Sequence, residues 1–107
     1  MTITELAEQT IATYERHGWR LRGALLMDQH REEFEGTLLN VPIESAPIDA
    51  LWFSRSSHGN REAWELRLLA ETPYALFETI ADDADEASKA LVKAEMVKRM
   101  NEREGSE

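Results

Sequence analysis

The chain has 107 residues, no cysteine and a formal net charge of −9, with 42% hydrophobic and 31% charged residues. This length predicts a single domain, which we expect over residues 1–104, followed by a frayed tail at 105–107. The absence of cysteine excludes disulfides and thiolate metal sites. The acidic charge repels phosphate backbones, so we expect no nucleic-acid partner.

The sequence also argues against a membrane location. No apolar run approaches the roughly 20 residues that a membrane-spanning helix requires. The N-terminal segment is polar and carries Glu5 and Glu8, whereas a signal peptide needs a basic start and an apolar stretch. We therefore expect no membrane partner and a cytoplasmic protein.

Helical periodicity occurs near both ends of the chain. Over Thr2–Arg16 the apolar residues recur at helical spacing, and Thr2 and Glu5 have the spacing of a capping box. A second helix is predicted to begin at Asp83, with an alanine-rich stripe facing the sheet. Leu91 lies on that stripe. We expect Leu91 to be almost fully buried at the centre of the core, together with Trp64, Leu66 and Leu68.

Between the helices, alternating apolar and polar residues predict a sheet. We expect strands at Trp19–Met27, Gly36–Val41, Ile48–Arg55, Ala63–Leu69 and Tyr74–Ile80. Asp28–Phe34 is predicted to form a short helical turn. The resulting order, α-β-(short element)-β-β-β-α, predicts an α+β two-layer sandwich. Its mainly antiparallel sheet would have three to five strands, with both helices packed on one face.

One acidic segment contains residue types that can bind metals. Asp28 and His30 lie close in sequence to Glu32 and Glu33. A zinc site needs three or four ligands that converge on one point, and acidic residues in such density are typical of a solvated surface. We therefore assign no metal-binding residue and expect no cofactor.

The hairpin sequence Ser56-Ser57-His58 suggests a nucleophile and a base. Adjacent residues rarely place a hydroxyl and an imidazole in hydrogen-bonding geometry, and turn formation accounts for serine, glycine and asparagine here. No residue is assigned a catalytic role, and the sequence favours a protein that is not an enzyme.

The chain carries more apolar surface than a two-layer domain can bury. Aromatic and aliphatic residues mixed with arginine on the second sheet face are typical of protein interfaces. The candidate interface residues are Leu51, Phe53, Leu69, Phe77, Val92, Met96 and Met100. Either a second copy of the chain or residues 34–47 would cover them.

The predicted α-β-β-β-α order is similar to that of the double-stranded-RNA-binding domain. That family contacts phosphates through lysines at the start of its second helix. The corresponding segment here, Asp82–Glu86, carries the opposite charge, so the resemblance does not imply RNA binding. The small size and acidity of the chain also resemble those of bacterial secretion chaperones.

These observations favour a non-catalytic protein-interaction module that acts as a homodimer. The first alternative is a small-ligand-binding protein or enzyme with a pocket between the sheet and residues 28–47. The second is a secretion-chaperone-like protein or inhibitor that docks on a basic partner. A pocket with convergent polar groups would favour ligand binding, and a large apolar contact across a two-fold axis would favour the interaction module.

Overall fold

The computed structural model describes residues 2–34 and 41–105, which form an α+β domain, as predicted. In chain order the elements are α1 (Ile3–Arg16), β1 (Arg20–Leu26), a 3₁₀ helix (Asp28–Phe34), β2 (Ile43–Ser45), β3 (Ala50–Ser57), β4 (Arg61–Leu68), β5 (Tyr74–Ala81) and α2 (Glu86–Gly105). Of the predicted tail, Gly105 ends α2. The described residues include no helix that is long and apolar enough to cross a membrane.

The five strands form one sheet in the order β2-β1-β3-β4-β5. β2 runs parallel to β1, and the other neighbours are antiparallel. The sheet is therefore mixed rather than mainly antiparallel. Parallel neighbours need a long connection, which the chain between Leu26 and Ile43 provides. Of the predicted strand Gly36–Val41, residues 36–40 lie outside the described part, and the observed β2 begins after Pro42.

The helices lie on opposite faces of the sheet, which corrects the expectation that they share one face. Ala7 of α1 packs in one core cluster with Leu51 and Phe53. Met96 of α2 packs in a second cluster with Leu66. Because the strands are apolar on both faces, each face requires its own cover. The described residues thus form three layers, and the likeness to the RNA-binding domain is limited to element order.

Three of the four residues expected at the centre of the core are buried. These are Trp64, Leu66 and Leu68, which are 7%, 0% and 5% exposed. The prediction for Leu91 was wrong, since this side chain is 73% exposed. Helix α2 instead buries Met96 and Met100 completely. A valine and methionine stripe removes more apolar area from water than an alanine stripe does, so it faces the sheet.

The helix starts show one confirmed cap and one displaced cap. The hydroxyl of Thr2 accepts a hydrogen bond from the backbone N–H of Glu5 at 3.1 Å, as predicted. For α2 the cap is Asp85 rather than Asp83, because Asp85 Oδ1 accepts from the backbone N–H of Ser88 at 2.7 Å. That hydrogen bond holds the pKa of the Asp85 carboxyl below its ordinary value.

Candidate functional site: a cavity lined by two tryptophans and two cations

A cavity of about 250 Å³ opens on the α2 face of the sheet. Its wall combines β1, β2, β3 and β4 with α2 and with Pro42, which precedes β2. We call it the tryptophan cavity, and it is lined by Arg22, Gly23, Ala24, Leu25, Pro42, Glu44, Trp52, Trp64 and Lys93. The cavity thus lies between the sheet and α2, and of the described residues in 28–47 only Pro42 and Glu44 are among its lining residues.

An irregularity in β1 brings Arg22 into this wall. Leu21 pairs with Phe53 and Gly23 pairs with Trp52, so Arg22 has no partner of its own on β3. Such a bulge inserts one residue and re-aims a side chain. Leu21 packs in the core beneath α1, whereas Arg22 and Gly23 both line the cavity on the opposite face.

A side chain at Gly23, next to this bulge, would be crowded. A Cβ atom at Gly23 would lie 3.2 Å from the backbone oxygen of Pro42 and 3.8 Å from Cδ1 of Trp52. The same Pro42 oxygen accepts a hydrogen bond from the N–H of Ala24 at 3.0 Å. Gly23 therefore allows the chain before β2 to approach β1 closely and leaves space beside Trp52.

Two cations face the cavity from different elements. Arg22 donates from Nε to the hydroxyl of Ser54 at 2.7 Å, and Ser54 is only 1% exposed. Lys93 places Nζ 3.7 Å from the ring centroid of Trp64. Neither cation forms a salt bridge to any residue in the described ranges. Desolvation by burial lowers the pKa of Lys93, although Glu62 and Glu86 act in the opposite direction.

The two tryptophans supply the aromatic part of the wall. Their ring centroids lie 6.2 Å apart with an interplanar angle of 79°, an edge-to-face arrangement. The indole N–H of Trp64 donates to Glu62 Oε1 at 2.7 Å. Trp64 is buried, whereas Trp52 is only half-buried and keeps part of its ring open. Trp52 can therefore offer a surface to a ligand.

A second cavity, of about 560 Å³, lies on the α1 side and includes His30. Nδ1 of His30 lies 2.7 Å from Oδ2 of Asp49, which is 7% exposed, and Asp49 Oδ1 accepts from the N–H of Met27 at 2.9 Å. The carboxylate orients the imidazole. It also ties the end of β1 to the start of β3, which is a structural role.

The two groups of residues that the sequence offered as a metal site and as a nucleophile with its base are not brought together as a site. No group of three or more potential metal ligands occurs within the described residues. Asp28 accepts a hydrogen bond from Ser45 at 2.7 Å, while His30 contacts Asp49 instead. No hydrogen bond between His58 and a neighbouring serine hydroxyl is present in this part of the chain.

Six of the seven candidate interface residues are used inside the domain. Leu51, Phe53 and Leu69 are 0%, 0% and 5% exposed in the cluster beneath α1. Met96 and Met100 are both 0% exposed, and Val92 packs against their cluster. Phe77 alone among the seven is exposed, at 52%. Five of the first six are buried because α1 and α2 cover separate faces of the sheet, whereas Val92 is half-buried.

The residues of the tryptophan cavity were not predicted as a site. They come from five separate elements and from Pro42, so no local motif links them. One signal was present: Gly23 interrupts a strand pattern, and such a glycine suggests a bulge or a close backbone approach. Comparison of the chain with protein-family models, with curated proteins and with solved structures finds no match.

Proposed function

We propose that this protein binds a small aromatic carboxylate in the tryptophan cavity. The observation that carries the proposal is the pair of cations, Arg22 and Lys93, that lack a carboxylate partner among the described residues and share one cavity with two tryptophans. Arg22 is exposed, and Ser54 accepts a hydrogen bond from its Nε. Lys93 is partly desolvated, and a cation that is withdrawn from water usually has a compensating partner. A bound anion would provide that compensation.

The charges of the wall favour a ligand with a single negative charge. Among the lining residues, Arg22 and Lys93 contribute two positive charges and Glu44 one negative charge. Glu62 and Glu86 lie near enough to act on Lys93, so the surroundings lower the positive charge further. A monoanionic carboxylate matches this balance better than a doubly charged phosphate. The net charge of −9 opposes anion binding only weakly, since charges beyond about 8 Å are largely screened at physiological salt.

The aromatic wall and the volume define the rest of the ligand. The half-buried ring of Trp52 offers a surface on which a planar ring can stack. The volume of about 250 Å³ is just below the range of about 300–1,000 Å³ that is usual for ligand pockets. A compound with one aromatic ring and one carboxylate fits both properties.

Ligand binding was the runner-up hypothesis from the sequence. It gains support because a cavity with convergent polar groups lies between the sheet and α2 and includes Pro42 and Glu44. The interaction-module hypothesis loses support because most of its candidate residues lie in the core. The proposal concerns binding and assigns no reaction to the cavity.

Calorimetric titration with benzoate tests the proposal. Cyclohexanecarboxylate keeps the charge without the aromatic ring, benzamide keeps the ring without the charge, and phenyl phosphate carries more charge. We expect benzoate to bind more tightly than all three. Arg22→Gln should weaken benzoate binding about tenfold or more, because a hydrogen bond to a charged group contributes about 1.5–3 kcal/mol.

Two matched substitutions control for general effects of charge and aromatic content. Lys98→Gln removes a positive charge from an exposed position of α2, and Trp19→Phe alters the third tryptophan, which packs on the α1 side. Both variants should bind benzoate like the wild-type protein. If none of the four probes binds the wild-type protein at millimolar concentration, or if Arg22→Gln binds benzoate equally well, the proposal is wrong.

A further inference from the structure

The two edges of the sheet differ in how well they are protected from pairing with another strand. At one edge, β2 is only three residues long, lies between Pro42 and Pro47, and carries the exposed Glu44. Short length, proline and charge are the devices by which proteins block edge strands. The opposite edge, β5, has eight residues and no internal proline or lysine. Its one charged residue is Glu78, and at Thr79 the backbone oxygen accepts a hydrogen bond from the charged side chain of Arg61 of β4 at 2.8 Å.

Two exposed apolar side chains flank the β5 edge of the sheet. Phe77 and Leu91 are the large hydrophobic residues exposed in the described ranges, at 52% and 73%. Phe77 belongs to β5 and touches Trp19 edge-on, with ring centroids 6.3 Å apart, on the α1 side. Leu91 belongs to α2 and lines a depression with Glu78 of β5 on the other side. The edge is thus bordered by an apolar residue on each face.

We infer that β5 is the contact surface of a homodimer, in which the β5 strands of two copies pair antiparallel across a two-fold axis near Phe77. The two five-stranded sheets would then form one continuous sheet of ten strands. An axis at this position places the two Phe77 rings on the same face as neighbours. It also brings the two α2 helices side by side, with Leu91 between them.

Charge complementarity favours a second copy of the chain over an unrelated partner. The depression beside Leu91 contains Glu78 and Glu95 as well as Arg99, and Arg99 Nη1 lies 3.5 Å from Glu78 Oε1. Glu78 and Arg99 already pair within one copy, which leaves Glu95 as the carboxylate that Arg99 of the other copy could approach.

The length of the contact also suits self-association. An eight-residue strand extends for roughly 27 Å at about 3.4 Å per residue. Strand pairing supplies the backbone hydrogen bonds that an edge lacks, and the flanking apolar residues exclude water from both sides. An extended peptide could pair with the same edge but would bring no helix to cover Leu91.

Sedimentation equilibrium of the full chain tests this inference through the variants Phe77→Lys and Leu91→Lys. The wild-type protein should have the mass of two chains, and each variant should shift toward the mass of one chain while keeping its circular dichroism spectrum. Ala12→Lys, at an exposed position on α1, is the matched control and should remain dimeric. A wild-type monomer at the highest soluble concentration would overturn the inference.

Hydrogen exchange provides a second measurement that does not depend on the variants folding. Outward-facing amides of β5 should be slower to exchange at high than at low protein concentration, and the amides of β2 should show no such change. A dimer in which β5 exchange is independent of concentration would place the contact elsewhere. A dimer that persists in both lysine variants would also show that the contact lies elsewhere than at β5.

Discussion

The imidazole of His30 and the carboxylate of Asp49 form a hydrogen-bonded pair, with 2.7 Å between Nδ1 and Oδ2. Asp49 is 7% exposed and immediately precedes β3, whereas His30 lies in the 3₁₀ helix that follows β1. The other carboxylate oxygen accepts from the N–H of Met27. One buried acid therefore holds together the ends of two neighbouring strands.

The first prediction concerns the energetic contribution of that pair. His30→Ala leaves a buried carboxylate with one of its two partners, and an unsatisfied buried group costs about 1–3 kcal/mol. We expect the free energy of unfolding, measured in urea, to fall by about that amount. His58→Ala, in the exposed hairpin, is the matched control and should leave the midpoint unchanged. Equal stability of the two variants would show that the pair contributes nothing.

The second prediction separates two leucines that the sequence placed in the same core. Leu66→Ala should destabilise the protein by about 2–5 kcal/mol, because it removes a large side chain from a packed interior. Leu91→Ala should change the unfolding free energy by less than about 0.5 kcal/mol, since Leu91 is exposed in the monomer. Thermal unfolding at low protein concentration, where a dimer would dissociate, measures both. A large effect of Leu91→Ala under those conditions would contradict the observed orientation of α2.

The third prediction concerns Tyr14 at alkaline pH. Burial, and next the hydrogen bond from its hydroxyl to Glu65, raise the pKa of Tyr14 to about 12. In the unfolded chain this group titrates near pH 10. Below about pH 10 the stabilisation is fully present, and it is lost as the pH rises through the folded-state pKa.

The phenolate absorbance of a Tyr74→Phe variant measures this pKa directly, because Tyr14 is then the one tyrosine left. The folded variant should titrate near pH 12. The same variant in denaturant should titrate near pH 10 and serves as the reference. Coincident titrations of the two samples would contradict the burial of Tyr14 between α1 and the sheet.

The fourth prediction concerns how pH affects ligand binding. Desolvation lowers the pKa of Lys93, and a bound carboxylate would raise it again by stabilising the ammonium. Benzoate should therefore bind at full strength below the pKa of free Lys93 and more weakly as the pH rises through it. Lys93→Arg stays charged across this range and should abolish the decline. Calorimetry at a series of alkaline pH values distinguishes the two proteins.

Much of the fold could be predicted because its signals are local. Alternating residues identified β3, β4 and β5 to within two residues at most ends, and the capping-box spacing identified the start of α1. Gly59 and Asn60 take positive φ angles of 68° and 58° in the hairpin, as their types suggest. Each of these features depends on a few neighbouring residues.

The layer arrangement depends on competition between distant surfaces and was predicted wrongly. Two apolar stripes were visible on α2, and the alanine-rich stripe with Leu91 was expected to face the sheet. The stripe that contains Met96 and Met100 packs there instead. Because both helices were expected on one face of the sheet, the face that carries Phe53 had no predicted cover. In the structure, α1 covers that face.

The tryptophan cavity was not predicted from the sequence. The alternative hypothesis expected a pocket between the sheet and residues 28–47, whereas this cavity lies between the sheet and α2 and includes only Pro42 and Glu44 of the described residues in that segment. Strict alternation would place Arg22 with Ala24, on the face that α1 covers, whereas Arg22 lines the cavity on the other face. The bulge breaks that alternation, and a bulge is specified by pairing with another strand rather than by local sequence.

The bulge leaves Arg22 without a partner on β3. Its neighbours Leu21 and Gly23 pair with Phe53 and Trp52, which are themselves consecutive. Deleting Arg22 would therefore join two segments of β1 that are already in a common register, and every later residue would keep its face. Deleting a residue from a regular strand shifts every later residue of that strand by one position. The shift moves those side chains to the opposite face of the sheet, so such deletions are normally not tolerated. A chain without Arg22 would form the same sheet with β1 one residue shorter. It would lack the arginine that lines the tryptophan cavity.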